Sequence, residues 1–209
     1  YNEMLAFLLE NGADLTIKNG FGNNAADMAS GNLDTDALGM MVEVGLKPDY
    51  RFGEEKHTLL HLAAYGQSHY LAEQALKKKA DVNAVDVDGN SALHIASQNH
   101  FDDQKFVLPD PELVRMLVKA GADMQLKNTA GLTALELAVK EKHTNIIQVM
   151  VEEGLDANLV THKHNNEHLL HFALTAQDEK LAHLLLDKGA RMDEPARYTF
   201  EDGALQTVY

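Results

Sequence analysis

One phrase recurs along this chain and restricts its fold more than any other feature. It reads Thr58-Leu59-Leu60-His61-Leu62-Ala63-Ala64, then Ser91-Ala92-Leu93-His94-Ile95-Ala96-Ser97, then Thr133-Ala134-Leu135-Glu136-Leu137-Ala138-Val139, and again His168-Leu169-Leu170-His171-Phe172-Ala173-Leu174. An apolar stretch follows each copy and, in all but the first of these four, closes on Gly-Ala or Gly-Leu, as at Gly121-Ala122 and Gly189-Ala190. Aligned on the third residue of the phrase, the copies fall at Ala26, Leu60, Leu93, Leu135, Leu170 and Leu205, in steps of 34, 33, 42, 35 and 35 residues. A period of that length belongs to a solenoid, whose units bury their apolar faces only against neighbours. A stack of this kind presents a surface rather than a pocket, so binding is expected before catalysis.

Each unit reads as two short helices and a turn. Leu60, Ala63 and Ala64 make the apolar stripe of a first helix, and Leu71, Ala72, Ala75 and Leu76 that of a second. The closing glycine suits the left-handed residue that ends a helix. Polar turns such as Asp86-Val87-Asp88-Gly89 follow. Lys79 stands where the glycine is expected, a substitution that costs roughly 1 kcal/mol if that residue is left-handed.

These residues resemble the ankyrin repeat over essentially the whole chain. The Thr-Leu-Leu-His phrase, the Gly-Ala-Asp close and the 33-residue step carry the resemblance. Ala25, Leu59, Ala92, Ala134 and Leu169 replace the family's proline, and Asp27 and Glu136 its histidine. The expected fold is an all-α repeat solenoid, a stack of helix-turn-helix units joined by β-hairpin-like turns. It forms one domain over 1–209: a partial repeat at 1–21, full repeats at about 22–55, 56–88, 89–130, 131–165 and 166–200, and a partial repeat at 201–209. Met4 to Gly12 reads as a second helix without its first, and Leu205 to Tyr209 as the start of another first helix. Neither end shows a polar capping face, so the chain is expected to be a piece of a longer protein.

The resemblance implies a ligand surface on the concave face, made by the turn tips and the exposed side of each first helix. Phe52, Glu54, Glu55, His57 and Tyr65 fall there, as do Val87, Asp88, Asn90, Gln98 and Asn99, then Leu132 and Lys140. Phe21, Asn23, Thr129, Glu141, His164, Asn165, Glu167 and Thr175 occupy related positions. Phe52, Tyr65, Val87 and Leu132 are apolar where packing does not demand it, and aromatic anchors dominate interface energetics. Phe52 and Tyr65 are both expected to face the groove.

The long step comes from an insertion between Gln98 and Glu112 that carries Phe101, Phe106, Val107 and Leu108. It either folds back over adjacent helices or forms a docking loop on the edge opposite the turn tips. Asp110-Pro111-Glu112 is a sound start for the helix beyond it.

Charge and composition narrow the partner. The formal net charge is −14, from 32 acidic and 18 basic residues, which argues against nucleic acid and anionic membranes. The expected partner is a protein or peptide of basic and apolar character, not a small-molecule substrate. Cysteine is absent, which removes disulfides, thiolate metal sites and cysteine nucleophiles. No cofactor is implied. His61, His94 and His171 fall at the family's structural histidine, and the cluster of His162, His164 and His168 lacks the spacing of a zinc site. No hydrolase elbow or phosphate-binding loop occurs, and no run of apolar residues is long enough to span a membrane. An intracellular, cytoplasmic interaction module is therefore expected, in the host cytosol if the source is a bacterial effector. A regulatory or targeting segment of a larger enzyme, channel or effector is the alternative, and a purely structural spacer a further one.

Overall fold

The computed structural model describes residues 2–102, 105–161, 167–191, 196–199 and 205–208. They form an all-α repeat solenoid with two rows of antiparallel helices. The inner row holds α2 (Ala25–Gly31), α4 (Leu59–Tyr65), α6 (Ala92–Ala96), α8 (Ala134–Lys140) and α10 (Leu169–Thr175). The outer row holds α1 (Asn2–Glu10), α3 (Thr35–Val44), α5 (His69–Lys77), α7 (Pro111–Lys119), α9 (Thr144–Glu152) and α11 (Glu179–Asp187). Short hairpins pair β1 (His100–Asp102) with β2 (Lys105–Val107), β3 (Val160–Thr161) with β4 (Glu167–His168), and β5 (Ala196–Thr199) with β6 (Leu205–Val208), all antiparallel.

Local chemistry sets the helix limits. Thr58 and Thr133 cap α4 and α8, each accepting from the backbone N–H three residues on while that residue's side chain takes the cap's own N–H. Asp34, Ser68 and Asp178 cap outer helices by accepting from the N–H three residues on, and Asp110 from that of Glu112, with Pro111 opening α7. At the other end, Gly45, Gly121, Gly154 and Gly189 all turn left-handed. Lys79 does so too, at φ 65°, and pairs of backbone bonds such as Ala80 N–H to the Ala75 carbonyl (3.0 Å) close the turn.

The core runs the length of the stack. Leu38, Leu60, Leu71, Leu93, Ile95, Leu113, Leu117, Ile146, Ile147, Met150 and Leu169 are fully buried, each worth about 1.5–3 kcal/mol in apolar transfer. Ala63, Ala72, Ala75 and Ala138 are buried between them and let helices approach closely. α3 packs on α5 and α1, α9 on α7 and α11, and α6 on α4 and α8.

One expectation about local structure changes. Leu205 does not open a helix: Leu205 to Val208 is a strand in register with Ala196 to Thr199. The pair Tyr198-Thr199 and the pair Thr207-Val208 are strong strand formers, which a leucine-anchored alignment overlooks. The insertion, expected either to fold back or to form a docking loop, builds a hairpin: its start and middle pair as β1 and β2, with Phe101 opposite Phe106. That hairpin also replaces a feature of the other units. Leu33, Gln67, Lys142 and Gln177 turn left-handed between first and second helices (φ 48–62°), and the hairpin stands at the corresponding place after α6. Among the described residues, no helix is long and apolar enough to cross a membrane.

Candidate binding surface

At the turn tips, side chains add to the backbone bonds that close each turn. Asp86 is buried, and its Oδ1 accepts from the N–H groups of Asp88 (2.9 Å) and Asn90 (2.8 Å). Asn128 Oδ1 does the same for Leu132 N–H (3.0 Å), and Asn19 Oδ1 for Phe21 and Asn23 N–H. Successive tips are zipped to one another. Val87 N–H donates to the Glu55 carbonyl at 3.1 Å, and Thr129 donates to the Asp88 carbonyl from both N–H (2.9 Å) and Oγ1 (2.7 Å). Gly89 permits this approach: with φ +74°, it would place a Cβ 2.9 Å from Thr129 N.

Two buried histidines, His61 on α4 and His94 on α6, tie their inner helices to the next tip. His61 Nδ1 accepts from Thr58 N–H, and Nε2–H donates to the Asn90 carbonyl at 2.8 Å. His94 repeats the arrangement with Ser91 and the Leu132 carbonyl at 3.1 Å. Burial pushes the His61 imidazole down to about 4 and lowers that of His94 in the same direction, so both are neutral, single-tautomer struts near neutral pH. Where histidine is replaced, a carboxylate keeps the bond from the cap residue's N–H. Glu136 Oε2 accepts from Thr133 N–H at 3.0 Å, and Asp27 accepts from Asn24 N–H and from the Tyr50 hydroxyl.

Most of the expected surface residues reach solvent. Glu54, Glu55, Asp88 and Lys140 are exposed, Val87 is 45% exposed, and His57, Tyr65, Gln98 and Leu132 are half-buried. Phe21, Asn23 and Thr129 are exposed on their tips, and Thr175 is exposed with Oγ1 bonded to the His171 carbonyl. His164 and Asn165 lie outside the described residues, as does the Glu167 side chain.

Phe52 is the clear correction. It is only 3% exposed and packs its ring 4.8 Å from that of Tyr50, within the core. Its backbone bonds to His57 on both sides (2.8 and 3.1 Å), and this bridge turns the side chain inward, away from the groove. Asn90 and Asn99 are committed to structure as well. Asn90 Oδ1 accepts from Asn128 Nδ2 at 2.9 Å, and Asn99 N–H donates to Glu141 Oε2 at 2.5 Å, with its own Oδ1 buried.

The insertion is anchored on both neighbouring units. His100 Nε2–H donates to the Tyr65 carbonyl at 2.6 Å, Gln67 Nε2 donates to the Leu108 carbonyl, and His69 lies 3.0 Å from Asp110. On the other side stands the Asn99–Glu141 bond, with His143 3.3 Å from the same carboxylate oxygen. Leu108 itself is 61% exposed, so it does not fold back onto the helices. The side chains of Phe101 and Phe106 lie outside the described residues. His100 is the surface residue that spacing alone did not single out; its place at the mouth of the insertion was the signal. Among the described residues, no group of three or more metal-ligating side chains could hold an ion.

Comparison with known proteins agrees with this architecture. A family model for ankyrin repeats in three copies matches residues 28–110 and 107–196. The Nuclear factor NF-kappa-B p105 subunit of Gallus gallus is 30% identical over 135 residues, covering 63% of this chain and 13% of that protein. The human Ankyrin repeat and SOCS box protein 16 is 29% identical over 219 residues, covering all of this chain and 46% of its own length. The mouse B-cell lymphoma 3 protein homolog is 28% identical over 149 residues, 68% of this chain and 31% of that protein. The chain thus spans less than half the length of each of these relatives.

Proposed function

We propose that this chain, which belongs to the ankyrin-repeat family, binds a protein or peptide along the concave face formed by its turn tips and inner helices. The observation that carries this reading is the zipped row of tips from Glu55 through Val87 and Asp88 to Thr129. A surface already fixed by backbone bonds loses little conformational freedom when a partner docks. Val87 and Leu132 offer apolar contact, and Glu54, Glu55 and Asp88 surround them with negative charge. A partner segment with apolar anchors and basic flanks suits that pattern. The chain supplies recognition and no catalytic step of its own, in an intracellular setting and within a larger assembly. No nucleic acid, membrane, cofactor or small-molecule substrate enters this reading.

The test is capture with the immobilised wild-type chain beside a Val87→Asp/Leu132→Asp variant of unchanged melting temperature. The reading expects a protein set recovered by the wild type and lost with the variant. Equal recovery by both moves binding to the outer helices or the insertion.

A further inference from the structure

We infer that Tyr65, His57 and His100 form an aromatic notch on the concave face that receives a lysine or arginine side chain of the partner protein. The inference rests on the concave-face reading above and adds the chemistry of one contact.

The three rings come from three different segments. His57 precedes α4 at the base of a turn tip, Tyr65 is the last residue of α4, and His100 opens β1 in the insertion. The Tyr65 ring meets both imidazoles edge-on, at 5.2 Å and 64° to His57 and at 5.6 Å and 89° to His100. His100 is held in that pose by its 2.6 Å bond to the Tyr65 carbonyl. The segment after the hairpin is fastened to the same unit, Leu108 through Gln67 and Asp110 through His69. The insertion therefore supplies a wall of the groove as well as a strap across the stack.

Carboxylates frame these rings. Asp86 Oδ2 lies 4.0 Å from His57 Nε2, and Glu55 and Asp88 sit on adjacent tips joined by the Val87–Glu55 bond. The Tyr65 phenol responds to them: burial first, then the charges of Asp86, Asp88 and Glu55, hold its proton on above the ordinary tyrosine range. The neighbouring Arg51 guanidinium donates to the carbonyls of Lys56 (3.0 Å) and Val85 (2.8 Å), which directs that cation to the backbone.

An electron-rich ring with carboxylates nearby attracts a cation through its π-system and through their charge. The aliphatic stem of a lysine or arginine would lie along the exposed Val87 side chain while its head reaches the rings and acids. The −14 net charge steers a basic segment toward the site.

A phage-displayed random-peptide library, selected on the folded chain, provides the probe. Selected peptides are titrated calorimetrically against wild type, Tyr65→Leu, and the Glu55→Gln/Asp88→Asn double variant, each checked by melting temperature. The notch predicts a shared lysine or arginine whose replacement by alanine weakens binding about tenfold. Each protein variant should show a similar loss, and combining it with the peptide change should add little. If Tyr65→Leu does not fold, the charge-neutralised variant on exposed residues carries the test alone. Peptides that depend on Val87 and Leu132 but on no basic residue would overturn the notch and leave the concave face standing. Peptides indifferent to every concave substitution, or no peptides at all, would overturn both.

Discussion

Tyr70 on α5 lays its ring over Gly39 on α3, in space that any side chain at residue 39 would need. A Cβ built there would come 2.8 Å from Tyr70 Cδ1 and closer still to Cε1. The Tyr70 hydroxyl then donates to Glu43 Oε1 at 3.1 Å, one turn further along α3. Glycine in mid-helix ordinarily costs about 1 kcal/mol relative to alanine, so Gly39→Ala would stabilise an isolated helix. Here it should destabilise the protein by about 1–3 kcal/mol through overpacking. Urea melts of Gly39→Ala, Tyr70→Ala and the double variant decide the matter. The double variant should recover most of the Gly39→Ala loss, and a single Gly39→Ala more stable than wild type contradicts the packing account.

Lys79 carries the penalty that glycine avoids at Gly45, Gly121, Gly154 and Gly189. Lys79→Gly should stabilise the fold by about 0.5–1 kcal/mol, the left-handed strain outweighing the added freedom of the unfolded chain. A melt no better than wild type would mean that the strain is relieved elsewhere.

The buried histidines make stability pH-dependent. His61 has a folded pKa of about 4 against an ordinary 6.5, so the unfolded chain takes up its proton first as pH falls. The contribution is fully present above about pH 6.5 and is lost progressively down to about pH 4, reaching about 3 kcal/mol for this residue alone. His94 shifts in the same direction. Denaturant midpoints measured across that window should fall as acid is added, and a flat profile would show that these imidazoles are not the neutral struts described.

Leu108 tests the insertion. Exposed as it is, Leu108→Ser should change stability by less than about 0.5 kcal/mol. His100→Ala, which removes the bond to the Tyr65 carbonyl, should lower the melting temperature. Equal losses from both substitutions would place Leu108 in the packed structure after all.

The helix pairs and the closing turns were legible in the sequence because both depend on contacts within one period. Leu60 to Lys79 already contains the helix faces and the turn that ends them. The inward turn of Phe52 was hidden, since it depends on the bridge to His57 and on a Tyr50 ring whose role no repeat template supplies. The same holds for Asp27, whose partner Tyr50 lies 23 residues away. The left-handed Leu33, Gln67, Lys142 and Gln177 carry no glycine to mark them. Their signal is the residue that follows, Asp34, Ser68, His143 or Asp178, each at the N-cap of an outer helix. As for the binding surface, tip positions were readable from the period, but the approach of His100 to Tyr65 needs the hairpin that the insertion builds.

The most direct test of concave-face binding is an amide hydrogen-exchange map of the wild-type chain with and without a saturating selected peptide. Docking in the groove predicts added protection at the tips, from Glu54 to His57, Val87 to Asn90 and Thr129 to Leu132, and along α4, α6 and α8. Protection concentrated on α5, α7 and α9, with the tips unchanged, contradicts it.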